Sequence, residues 1–171
     1  MFARTLLMVA VGLTVAACST TSDESGMDES AMQQGVAEGP LNDIYGQDTQ
    51  GPAPGTQADL VVNVGDRVFF GYDRYDLTEE ARTTLNAQAA WLQRFPNLNV
   101  TIEGHADERG TREYNLALGE RRANSVKNYL VSMGVNAGRL NTISYGKERP
   151  AVPGSNETAW AQNRRGVTKV E

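Results

Sequence analysis

An α/β fold, a two-layer α+β sandwich with helices packed on a mixed sheet, is predicted for residues 60–171 by three observations. From Leu60 onward, short apolar alternations of strand type take turns with longer stretches of helical period. Before Leu60, residues 19–59 hold eight acids and no base, and are built from Ser, Thr, Asp, Glu, Gly, Gln and Pro. Such a composition cannot bury enough apolar surface to offset the entropy of ordering, so a disordered tether is expected there. Third, 171 residues with 40% hydrophobic and 22% charged side chains suit one globular domain and little more.

The elements follow in order. Residues 61–64 (Val-Val-Asn-Val) and 67–70 (Arg-Val-Phe-Phe) read as two short strands separated by Gly65-Asp66. Asp76, with Glu79 three residues on, reads as a helix cap before Ala81, Leu85, Ala89 and Leu92, and Phe95-Pro96 ends that helix. Val100, Ile102, Gly104 and Ala106 alternate with Thr101, Glu103, His105 and Asp107, which predicts a half-buried strand. The next helix, about 113–133, should bury Leu116, Gly119, Ala123, Val126, Leu130 and Met133, with Gly119 and Ala123 allowing close approach to the sheet and Gly134 ending it. Residues 140–145 predict a third long strand, Asn156 the cap of a short helix, and residues 167–170 a closing strand. The β-α-β-α-β order is that of a two-layer domain.

The amino terminus reads as a processing signal. After Arg4 comes an apolar run, residues 6–17, that is too short to span a bilayer and ends in small residues before Cys18. The sequence Val15-Ala16-Ala17-Cys18 resembles a bacterial lipoprotein signal, which implies that residues 1–17 are removed and that Cys18 carries covalent lipid, with acyl chains strong enough for permanent anchorage. Ser19 after the cysteine implies sorting to the outer membrane. The acidic linker, residues 18–59, would then give the head an r.m.s. reach of ~35 Å. With the tether set apart, residues 60–171 carry 15 bases against 13 acids, so the acidic balance belongs to the tail.

One histidine and one cysteine exclude a multi-histidine metal site and an internal disulfide framework. Any chemistry rests on carboxylates, arginines and hydroxyls. The densest polar cluster, residues 103–115, runs from a strand end through a glycine-containing loop into a helix, the place where open α/β sheets hold ligands. Asn115 and Arg122 are two helical turns apart with Leu118 between them, and Asp107 sits at the opposite lip. A carboxylate and a guanidinium facing one groove suit a zwitterion; the competing arrangement is an Asp107–Arg122 ion pair stitching loop to helix. Glu103, His105 and Asp107 share one strand face and are the best set for a hydrolase. Arg121-Arg122 and Arg164-Arg165 are too sparse a footprint for nucleic acid.

The run Gly104-His105-Ala106-Asp107-Glu108-Arg109-Gly110-Thr111, continuing through Asn115-Leu116-Ala117-Leu118-Gly119 to Arg121-Arg122-Ala123, resembles the signature of the OmpA-like peptidoglycan-binding domain family, and the signal upstream points to its lipoprotein branch. Phe70-Gly71-Tyr72-Asp73, Ser144-Tyr145-Gly146 and Asn163-Arg164-Arg165 are similar to its other motifs. The resemblance implies a non-catalytic protein without cofactor. Asp107 would take the ammonium, and Arg122 the carboxylate, of diaminopimelate in the peptidoglycan stem peptide. Asn115, Leu118 and Arg165 would line the same pocket, and Tyr72 with Asp73 its wall. It further implies a periplasm-facing head, and TolB and other Tol-system or outer-membrane proteins as partners.

Overall fold

The computed structural model describes residues 51–171; the signal segment, Cys18 and the linker up to residue 50 lie outside the described residues. The folded domain begins earlier than composition suggests. Thr56 caps a short helix, Gln57–Asp59 (α1), by accepting from the Asp59 N–H. Asp59 is buried, and its carboxylate accepts from Trp91 Nε1 and from the Gly55 N–H, each at 2.8 Å. The Gln57 side chain meanwhile bonds the backbone of Thr168 and Val170. These polar anchors tie residues 55–59 to the domain, so the linker ends near Gly55 instead of at residue 59. Composition cannot reveal that.

The expected strand at 61–64 is a π-helical turn, Leu60–Val64, closed by Gly65 at φ 93. Its β-branched residues favour a strand, but burial of Leu60, the wide Gly65 N–H to Leu60 carbonyl bond (2.8 Å) and the Asn63–Asp59 side-chain bond (2.8 Å) override that preference. Val62 is left 68% exposed.

The remaining elements are β1 (Arg67–Phe69), α2 (Glu79–Arg94), β2 (Val100–His105), α3 (Arg112–Ser132), a 3₁₀ turn (Ala137–Arg139), β3 (Leu140–Gly146), α4 (Glu157–Asn163) and β4 (Arg165–Val170). The sheet order is β1-β4-β2-β3. β4 runs antiparallel to both neighbours, and β2 and β3 are parallel. The mixed sheet is therefore as expected, with β4 inserted at its centre. Ile102 pairs with Thr142 on one side and Thr168 on the other.

Helix α2 buries Ala81, Leu85, Ala89 and Leu92 as their spacing predicts, and stops at Phe95 before Pro96. Its cap is Thr78, whose hydroxyl accepts from the Ala81 N–H; Asp76 is instead held by the Arg74 guanidinium at 2.7 and 2.8 Å. Helix α3, capped by Thr111, lies on β2 and β3. Gly119, Ala123, Val126 and Leu130 are buried, but Leu116 and Met133 are 47% and 40% exposed, and Asn115, Leu118 and Arg122 take the inner face at the helix's start. Apolar spacing alone chose the wrong residues there, because the inner face meets a polar cavity and not the core. A β-carbon on Gly104 would overlap the Gly119 carbonyl oxygen, so helix and strand backbones touch at that crossing. Gly134, at φ 93, follows the last turn.

Leu85, Leu92, Val100, Ile102, Leu130 and Leu140 form the centre of the core, each at 0–1% exposure. Each such side chain contributes about 1.5–3 kcal/mol of transfer free energy. This core backs the half of the sheet that lies away from the carboxyl end of β2, and gives the loops at that end a rigid base.

Candidate functional site

At the end of β2 the register with β3 shifts between Gly104 and His105, and Ala106 N–H bonds the Gly146 carbonyl at 2.8 Å. The extra residue is Tyr145 on β3. Asp107, two residues past the end of β2, lines a cavity of about 250 Å³, while His105 stays against the sheet beside Tyr145. Six residues singled out in the sequence line that cavity: Tyr72, Asp73, Asp107, Asn115, Leu118 and Arg122. Arg109, Gly110 and Tyr114 complete the wall.

Arg122 comes from the middle of α3 and is fully buried. Its guanidinium donates to three backbone carbonyls: Nε to Arg74 at 2.8 Å, Nη1 to His105 at 2.7 Å and Nη2 to Gly71 at 3.0 Å. Three of five N–H groups are thereby used, and two remain for a ligand. Burial pushes Arg122 down to about 10, with the nearby Asp107 carboxylate opposing the shift. It stays a cation at neutral pH. These bonds also fasten the β1–α2 loop, where Asp73 adopts φ 54, a left-handed backbone uncommon outside glycine, and accepts from the Tyr114 hydroxyl.

Asp107 is also buried but differently partnered. Arg109 grips it as a fork, Nη2 to Oδ2 at 2.6 Å and Nε to Oδ1 at 3.2 Å, and adds its own backbone N–H at 3.1 Å. Arg164 approaches Oδ2 at 3.4 Å from a buried position, where it also bonds the Phe70 carbonyl and Glu157. Burial alone would raise the Asp107 carboxyl; the Arg109 and Arg164 contacts outweigh it and hold the group below its ordinary range. No Asp107–Arg122 ion pair occurs among the described residues. The two charges face one space without neutralising each other.

Arg165 is not brought to this cavity. As the first residue of β4 it points to the opposite face from Gly166, whose position abuts Val126 and Phe70, and it donates to the Asn163 and Arg149 carbonyls. Its neighbour Arg164 serves Asp107 instead. Arg164, the last residue before β4, and Arg165, its first, differ only in phase, and the phase is set by pairing with β1. Asn115 bonds the Arg109 carbonyl at 2.9 Å, pinning the loop that carries the fork.

The OmpA family model matches residues 69–164. Peptidoglycan-associated lipoproteins of Rhizobium meliloti and Brucella melitensis are 57% and 56% identical over 115 residues, which is 67% of this chain and 65% and 68% of theirs. The chain thus spans a little under two thirds of the first of these relatives. The crystal structure of the peptidoglycan-associated lipoprotein from Burkholderia pseudomallei superposes with TM-score 0.61 at 39% identity, covering 62% of this chain and 90% of that one. The C-terminal domain of Helicobacter pylori MotB shares the fold at 21% identity and TM-score 0.58.

The chain belongs to the OmpA family, in its peptidoglycan-associated lipoprotein branch.

Within this OmpA-family domain the alternative set Glu103, His105 and Asp107 does not converge. Glu103 Oε2 lies 3.4 Å from His105 Nε2, but Asp107 is turned away into the cavity. Among the described residues neither His105 nitrogen has a hydrogen-bond partner, and no cluster of three or more His, Cys, Asp or Glu side chains could hold a metal. Burial first, then Arg165 and Arg149, push His105 down to about 4, so the ring is neutral. Arg109 and Trp160 were the residues sequence reasoning missed: the Arg109 guanidinium lies 4.0 Å from the ring centres of both Tyr72 and Trp160. Trp160, from α4, walls this loop. Two positions beyond Asp107, Arg109 was open to notice; Trp160 is brought near it only by folding.

Proposed function

We propose that this chain binds peptidoglycan noncovalently, its cavity holding the diaminopimelate side chain of the stem peptide, and so ties the outer membrane to the cell wall. The observation that carries this reading is a small cavity with a buried carboxylate and a buried guanidinium on facing walls, the guanidinium keeping unspent donors. About 250 Å³ is below the range of pockets for drug-sized ligands and suits one side chain. Asp107 would take the ammonium, Arg122 the carboxylate, and Leu118 the methylene stem. The names of the curated relatives support the same partner.

The rest of the proposal concerns the whole protein. Lipid on Cys18 holds one end in the outer membrane, the head faces the periplasm, and the linker crosses the gap. The protein acts in the Tol-Pal system, in envelope integrity and division, and TolB competes with the wall for the cavity side of the head. It performs no catalytic step and needs no cofactor beyond the covalent lipid.

The test is retention of the full-length protein in detergent on purified sacculi, with free diaminopimelate peptide as competitor. Removing one partner of a desolvated charge pair costs ~2–5 kcal/mol, so Asp107→Ala and Arg122→Lys should each lose about 30-fold or more. Undiminished retention by both variants would sink the reading.

A further inference from the structure

The inference concerns Arg109 and rests on the proposed function. An ammonium entering the cavity would need the Asp107 oxygens, and both are already taken. Oδ1 accepts from Arg109 Nε and from the Arg109 backbone N–H, and Oδ2 accepts from Arg109 Nη2 at 2.6 Å, the closest of these contacts. Arg164 contributes a longer contact from beneath. The fork from Arg109 therefore occupies the seat that a ligand cation would fill.

The surroundings of Arg109 differ from those of the other two arginines. Arg122 and Arg164 are buried and tied to backbone carbonyls, whereas the Arg109 side chain is 29% exposed and its guanidinium bonds no backbone carbonyl among the described residues. It is held sideways by two aromatic faces, Tyr72 and Trp160, each ring centre 4.0 Å away. A second carboxylate, Glu157 Oε2, lies 3.9 Å from its Nη1. The slot between the rings thus leads from one acid to another. The loop that carries it contains Gly110 at φ 94.

We propose that Arg109 is a displaceable plug and a specificity-determining residue of the cavity: its guanidinium stands in for the ligand's ammonium on Asp107 in the empty state, and it must swing within the Tyr72–Trp160 slot toward Glu157 before a zwitterionic side chain is admitted. A ligand lacking the ammonium cannot displace the fork, so selectivity for the full zwitterion is sharpened. The apparent affinity is lowered by the fraction of time the plug is out.

The experiment is titration of the full-length protein in detergent with the tripeptide L-Ala-γ-D-Glu-meso-diaminopimelate, comparing wild type, Arg109→Met and Glu157→Gln. Methionine keeps the apolar stem between the rings and removes the fork. The expected result is about 3- to 30-fold tighter binding by Arg109→Met, on the scale of a plug seated most of the time, and weaker binding by Glu157→Gln, which removes the negative charge of the alternative acceptor. Because an analogue with the distal amine replaced by hydrogen no longer meets a fork that it cannot displace, the ratio of tripeptide to analogue affinity should narrow in Arg109→Met; a ratio unchanged or wider than in wild type overturns the specificity role. Equal or weaker tripeptide binding by Arg109→Met, with wild type binding normally, overturns the plug and leaves the proposed function standing. Absence of binding by all three proteins overturns both.

Discussion

The two halves of α3 are buried to a similar depth by opposite chemistry. Its carboxyl-terminal half sets Val126 and Leu130 into the apolar core, where any well-shaped hydrophobe serves. Its amino-terminal half buries Asn115 and Arg122, each of which must find stated partners: the Arg109 carbonyl for one, the carbonyls of Gly71, Arg74 and His105 for the other. Within that half, between Asn115 and Arg122, Gly119 meets Gly104 backbone to backbone. The first half therefore trades stability for an open charged cavity, and the second supplies the rigidity that makes the cavity possible.

The crossing point gives the largest expected effect. Gly104→Ala places a methyl on the Gly119 carbonyl, and neither backbone can retreat without breaking the β2 ladder or the helix, so loss of cooperative unfolding by circular dichroism is expected. A normal transition would mean that the two backbones are farther apart than described. Leu130→Ala should cost ~2–5 kcal/mol in urea unfolding through the cavity it leaves, while ligand affinity per folded molecule stays unchanged. A drop in affinity there would show that the halves are not separable.

Arg122→Lys tests the other half. An ammonium cannot reach three carbonyls in the guanidinium's plane, so both stability and ligand affinity should fall, the former by ~1–3 kcal/mol. Melting close to that of wild type would show that the three backbone bonds do not hold the β1–α2 loop.

His105 provides a pH readout on the far side of β2. Its ring is held at about 4 against an ordinary 6.5, by burial and then by Arg165 and Arg149. Between those values the unfolded chain binds a proton that the native state refuses, so the stabilising contribution is complete above about 6.5 and is lost as pH falls toward 4. After allowance for screening the loss is on the order of 2 kcal/mol. The difference in urea midpoint between wild type and His105→Leu should therefore change across that window; a constant difference would show that the ring titrates normally. The smallest effect belongs to Thr111→Ala, which removes the α3 cap bond to the Tyr114 N–H and should cost ~1 kcal/mol with a modest loosening of the cavity's rim. Melting unaltered within a few tenths of a kcal/mol would show that water replaces the cap.

How much was legible follows from what kind of interaction fixed each part. Apolar period and local breakers located α2, β2, β3 and α4, because burial of one face and the chemistry of caps and prolines act within a few residues; Asn156 indeed caps α4 through the Ala159 N–H. Spacing placed Asn115, Leu118 and Arg122 on one stripe, and a family motif grouped them with Asp107, Tyr72 and Asp73. Three things needed the tertiary structure. The buried Asp59 before the π-turn at Leu60–Val64 depends on Trp91, 32 residues away, and Gln57 on the β4 backbone, 111 residues away. The choice of Arg164 over Arg165 depends on which strand β4 pairs with. The Arg109 fork on Asp107, and the absence of an Asp107–Arg122 pair, depend on where three cations come to rest around one carboxylate. Periodicity determines which face of an element is inward; only the packed chain decides which of several equivalent charges reaches a given partner, because Coulomb and hydrogen-bond energies vary over a few ångströms that no local pattern encodes.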